Sequence, residues 1–131
     1  MQDVRIPATD VLPVDGSRGD RNSLPIDWKQ LGQLSDGNEE FERELLGIFL
    51  EESRQRLQQA QQALFSCDYE GLRAAAHQMK GASGNIGLHD FWEMAAKLER
   101  RAKQQNLSGV DNILVEMMRS LTYVEIYLQE Y

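Results

Sequence analysis

The sequence predicts an all-α fold, an antiparallel up-down four-helix bundle with a short additional N-terminal helix. Apolar residues recur at three- and four-residue spacing through four long segments, which is the pattern of a helix with one buried face. Short runs of helix-breaking residues separate these segments, and short connections favour antiparallel neighbours. Nowhere does a period-two run bounded by turn signals suggest a strand. With 131 residues and 41% hydrophobic content, the chain suits one compact domain with one core.

Residues 1–23 carry no apolar repeat and hold Pro7, Pro13, Gly16 and Gly19 among Asp, Ser, Arg and Thr, the composition of a flexible tail or linker. That composition is shared by a native tail, a remnant of expression and the end of a linker from a larger protein. The bundle domain is expected over residues 24–131. Leu24, Ile26, Trp28, Leu31 and Leu34, with Pro25 and Asp27 as start signals, predict the short leading helix. Ser35, Asp36, Gly37 and Asn38 break it. From about Glu39 to Phe65, positions 46, 50, 53, 57, 60 and 64 step by four and three, with Ser53 the polar exception. Cys67 and Asp68 make a tight break, and Asp68 is a good N-cap for a helix ending near Ile86, with Gly87 as its stop. Leu88, Phe91, Ala95, Leu98 and Ala102 define the next helix, and Asn106, Ser108 and Gly109 end it. Val110, Leu114, Met117, Leu121, Val124, Leu128 and Tyr131 define the last.

A formal net charge of -7 lacks the basic footprint of a nucleic-acid binder. No apolar run is long enough to suggest membrane contact, and no signal peptide is visible at the start. Cys67 is the only cysteine, which rules out an intrachain disulfide and leaves no Cys-based zinc site. A cytoplasmic setting is the default expectation.

The third segment breaks the pattern of an ordinary bundle helix. With each residue advanced by about 100° and His77 at zero, Leu72, Ala75, Met79, Ala82 and Ile86 fall within about 40° of the opposite pole. Glu70, Arg73, Ala74, Lys80, Gly81, Gly84 and Leu88 fall within about 60° of His77. His77 is therefore expected at the centre of the face turned away from the core. A glycine inside a helix costs about 1 kcal/mol against alanine, and Gly81 and Gly84 lie beside His77 at i+4 and i+7. Close packing against another helix would explain such glycines, but their face is not the core face. Access for a large partner explains them better, with Arg73, Ala74, Gly81 and Gly84 as the expected docking face. Lys80, at i+3, could offset negative charge on the ring of His77, although a lone surface lysine is usually only solvated.

Imidazole titrates near neutrality, so a neutral ring offers a free nitrogen as nucleophile, and an N–P bond is labile beside a phosphate ester. No Walker-type loop, kinase glycine loop or acidic magnesium cluster accompanies it. The expectation is a phosphoryl carrier and not a self-sufficient enzyme, with no cofactor of its own.

Ala76, His77, Met79, Lys80, Gly81, Ile86 and Gly87 together resemble the histidine-containing phosphotransfer (HPt) family of two-component phosphorelays. Its pattern is roughly Ala-His-x-Leu-Lys-Gly, four residues, then Ile/Leu-Gly; Met79 replaces the usual leucine. The Leu98-Glu99 pair fits a weaker family feature, and the resemblance covers about residues 24–131. It implies that His77 is the phosphoacceptor through Nε2, that Lys80 assists electrostatically and that Gly81 clears space for docking. It also implies response regulator receiver domains as partners, each bringing a phosphorylated aspartate and Mg²⁺, and a hybrid sensor histidine kinase as the larger context. Two alternatives stay open: direct phosphorylation by an ATP-dependent histidine kinase catalytic domain, and a non-catalytic helical adaptor.

His89, next to Asp90 at a helix start, reads as a solvent-facing or capping residue, and a His77–His89 metal site has no supporting carboxylate at helical spacing. No metal site is expected. Trp28, Phe91, Trp92 and Tyr123 read as core or partial core, and Glu39, Glu40, Phe41 and Glu42 as a solvated first turn suited to the helix dipole.

Overall fold

A computed structural model describes residues 24–130. The expected tail over 1–23 and the last apolar position, Tyr131, lie outside the described residues. Five helices follow one another: α1 (Trp28–Ser35), α2 (Glu39–Phe65), α3 (Tyr69–Ile86), α4 (His89–Lys103) and α5 (Val110–Glu130). Helix α2 packs on α3 and α5, and α4 packs on α3 and α5, which closes a four-helix ring. The short α1 lies across one end of it, against α2 and α3. Trp28 of α1 also meets Tyr127 of α5, with ring centroids 5.5 Å apart.

Side-chain caps set the helix starts. Asp27 accepts from the Gln30 amide, Asn38 from that of Phe41, and Asp68 from that of Gly71, so each satisfies an orphan N–H of the first turn. Gly87 ends α3 in the left-handed region (φ 85°), and its amide bonds the Ser83 carbonyl. A side chain there would be excluded twice over. The conformation disfavours one, and a Cβ would lie 2.9 Å from Asp27 Cβ and 3.1 Å from the Asp27 carbonyl oxygen. The Asp27 amide donates to the Gly87 carbonyl at 2.9 Å, and Gln30 Nε2 donates to the carbonyls of Gly84 (2.6 Å) and Asn85 (3.0 Å). Carbonyls that the end of α3 leaves open are thus satisfied by α1.

The core joins Leu46, Leu57 and Ala60 of α2, Leu72 and Met79 of α3, Phe91 and Leu98 of α4, and Met117, Leu121 and Val124 of α5. Phe49 and Phe91 meet edge to face at 5.3 Å. On α3 the buried arc is turned toward α4, its most extensive neighbour. Ala76 and Ser83 are buried there, while Ala82, expected in the stripe, is half-buried. Leu88, projected onto the His77 face, is fully buried instead, because α3 has ended and the chain has turned at Gly87. Glu42 also departs from the expected solvated turn. It is buried and accepts a 3.0 Å hydrogen bond from Ser35 Oγ, which ties α1 to α2.

Candidate functional site

The outward face of α3 places His77 where the helical projection puts it, with a side chain 63% exposed. It is not alone there. Glu99, one turn before the end of α4, reaches under the ring and accepts from His77 Nδ1 at 2.8 Å through Oε2. Its other oxygen, Oε1, takes Lys80 Nζ at 2.7 Å, and Lys103 Nζ stands 3.8 Å from Oε2. The carboxylate is buried, its side chain only 6% exposed. Burial pushes the Glu99 pKa up, but hydrogen bonds from Lys80 and His77 and the charges of Lys80 and Lys103 outweigh that and hold it below the ordinary carboxylate range.

An ionised carboxylate can only accept hydrogen bonds, so Nδ1 carries the ring proton. In the neutral imidazole Nε2 then holds the lone pair. The geometry produces one oriented ring with its nucleophilic nitrogen free of Glu99 and an anion fixed behind it. This arrangement of a ring held by a carboxylate behind it is the usual way to fix a histidine's tautomer.

The two glycines beside His77 part company. About 40° to one side, Gly81 faces open space, and a Cβ built on it would meet nothing within 4 Å. Gly84, turned about 20° the other way, faces α4, where a Cβ would lie 3.1 Å from Trp92 Cδ1 and 3.3 Å from Nε1. Close packing, set aside from the sequence, therefore accounts for Gly84. It lets Trp92, 40% exposed and not a core residue, lie across α3. Arg73 is drawn into a 2.5 Å ion pair with Glu70 one turn away. That hydrogen bond and charge raise the Arg73 pKa, and the same contact lowers that of Glu70. Ala74 is exposed and, with Gln78, forms one wall of a polar groove of about 430 Å³ between α2 and α3; Arg56, Gln59 and Gln62 form the other.

His89 is solvent-facing as expected, with Nε2 3.5 Å from Asp27 Oδ2. The Gln30 amide first, and His89 second, hold the Asp27 carboxyl below its ordinary pKa. Among the described residues no group of three or more His, Cys, Asp or Glu is placed to hold a metal ion, and no helix is long and apolar enough to cross a membrane.

Glu99 is the residue that sequence reasoning left without a role. A signal was there: it is a charged residue at the margin of the apolar stripe, with Ala95, Leu98 and Ala102 as its helical neighbours. A charge in that position needs a partner.

The sequence and the fold both have known counterparts. The sequence profile of the Hpt domain family matches residues 44–126. Among solved structures, histidine-containing phosphotransfer protein B (HptB) from Pseudomonas aeruginosa PAO1 is similar, with a TM-score of 0.74 and 28% sequence identity. The alignment covers 81% of this chain and 92% of that one. No curated protein sequence gives a significant match.

Proposed function

The chain belongs to the Hpt domain family and serves phosphotransfer in a phosphorelay; on that premise we propose that His77 is the phosphoryl carrier and that its chemistry runs through Nε2. The single observation that carries this reading is the 2.8 Å contact from Nδ1 to the buried Glu99, which leaves Nε2 as the nucleophile.

In transfer from a receiver's aspartyl phosphate, the Nε2 lone pair forms the N–P bond. The bond between phosphorus and the aspartate oxygen breaks, and that oxygen leaves with the electron pair as a carboxylate. The Nδ1 proton stays in place, so the ring becomes cationic, and the Glu99 carboxylate is already there to face it. The charge that develops therefore meets a fixed counter-charge, with no side chain to recruit. Lys80, on the same face, offsets the phosphoryl oxygens. Return of the group to another receiver reverses these steps. We assign the Mg²⁺ of the reaction to the receiver, and docking to the face formed by Gly81, Ala74 and Arg73, without Gly84, which Trp92 covers. Receiver domains and a hybrid sensor histidine kinase are the proposed partners, in the cytoplasm.

The test mixes the protein with ³²P-labelled receivers and Mg²⁺. Acid-labile, base-stable label is expected on the wild type and absent from His77→Gln. Label persisting on the variant would overturn the assignment of His77. Label that arrives only from an ATP-dependent kinase, with no receiver able to donate or accept it, would favour direct phosphorylation instead.

A further inference from the structure

One carboxylate in this site faces two lysines. Lys80 already neutralises Glu99, at 2.7 Å on Oε1. Lys103, one turn further along α4, stands at 3.8 Å on Oε2, the oxygen that His77 also uses, and its side chain is 60% exposed. It is held loosely and its charge is surplus in the resting state. The nearest other cation on the α3 side, Arg73, is committed to Glu70. Glu99 and Lys103 share a face of α4 at i, i+4, and His77 and Lys80 share a face of α3 at i, i+3, so the four side chains meet across one helix–helix groove.

We infer that Lys103 is a second phosphoryl-binding cation, which exchanges Glu99 for the phosphoryl oxygens once His77 is phosphorylated. The inference rests on the reading of His77 as carrier. A phosphoryl group on Nε2 brings negative charge beside a carboxylate that is itself anionic. The cationic ring then faces Glu99, and Lys80 meets only one of the two negative charges that the phosphoryl group carries once fully ionised. Lys103 balances the other, and its weak resting contact makes the exchange easy, since a contact at 3.8 Å from a largely exposed lysine is worth little. The charged groups around the phosphoryl position are then Lys80, Arg73 and Glu70 from α3 and Glu99 and Lys103 from α4.

Chemical phosphorylation tests this without any receiver. With potassium phosphoramidate, the Nε2 lone pair forms the N–P bond while the phosphoramidate P–N bond breaks and ammonia leaves. ³¹P NMR of the product, recorded against pH, reads both the second ionisation of the phosphoryl group and its decay. In Lys103→Ala that ionisation should move to higher pH and the phosphohistidine lifetime should fall by about threefold, the size of a modest charge contact. Lys103→Arg should restore both. Lys97→Ala, which removes the same charge from the same helix away from Glu99, should change neither. Lys103→Ala behaving like Lys97→Ala would overturn the role of Lys103. All of these proteins carry His89→Gln, so that the other exposed histidine gives no signal. An N–P signal that survives the further change His77→Gln, or none with His77 present, would instead overturn the reading of His77.

Discussion

His77 and His89 are equally open to solvent, at 63% and 64%, and each has a carboxylate as its partner. The resemblance ends there. His89 meets Asp27 at 3.5 Å through Nε2, its outer nitrogen, and the Asp27 side chain is itself 39% exposed. His77 meets Glu99 at 2.8 Å through Nδ1, and that carboxylate is buried and braced by lysines from two helices. One is a long contact between two exposed side chains, solvated and worth little. The other fixes tautomer and ring orientation and leaves the reactive nitrogen outward. Exposure makes a histidine reachable, but the buried layer behind it makes it a site.

The sharpest way to break this contrast is to neutralise the layer. Glu99→Gln keeps an acceptor near Nδ1 but removes the charge that faces the cationic ring and Lys80. Transfer from a receiver to His77 should slow by about ten- to a hundredfold, as for other residues that orient a reactive group from behind. Rapid-quench measurement with labelled receiver checks this, and an unchanged rate would reduce Glu99 to packing. The same pair of proteins separates in stability, with the wild type ahead by about 1 kcal/mol at neutral pH, a figure kept small because Lys80 and His77 are partly exposed. The sign follows from the lowered pKa of Glu99. Its folded-state value lies below the unfolded one, near 4.5, so the contribution is complete above that pH. It disappears as pH falls through the folded value. Urea titrations of the two proteins should therefore converge in acid and stay parallel from pH 7 to 5.

The two glycines offer a finer test. Gly81→Ala should raise stability by about 1 kcal/mol, since the helix gains and nothing is displaced. Gly84→Ala should recover less than half of that, because Trp92 must move aside. Gly81→Leu should keep the fold and slow transfer by about tenfold or more by filling the approach to His77. Equal stability gains from both alanines would remove Trp92 from the account of Gly84. The smallest effect belongs to His89→Ala, for which transfer and the urea midpoint should match the wild type. A measurable loss of transfer would mean that the α1 contact reaches the site.

Much of this was legible in the amino-acid order because it is written locally. Asn38, Asp68 and Gly87 mark helix ends by their own chemistry, and the outward position of His77 follows from periodicity within one helix. What was not legible depends on two helices at once. Glu99 is 22 residues from His77 along the chain, and only the rotation of α4 about its axis brings it beneath the ring. The same rotation turns the buried arc of α3 toward Ala76 and Ser83 and puts Trp92 over Gly84. Glu42 was misplaced for a related reason: its partner Ser35 belongs to α1, whose docking no single-helix pattern describes.

That docking also sets a load path. The backbone splice between Asp27 and Gly87, reinforced by Gln30 on the last carbonyls of α3, attaches the start of the described chain to the α3–α4 junction. Any pull or rotation arriving along the chain from before residue 24 is therefore delivered at Leu24–Asp27. It passes to the two helices that between them hold His77, Lys80, Glu99 and Lys103, and it does so before it reaches α2, the helix that follows α1 in sequence.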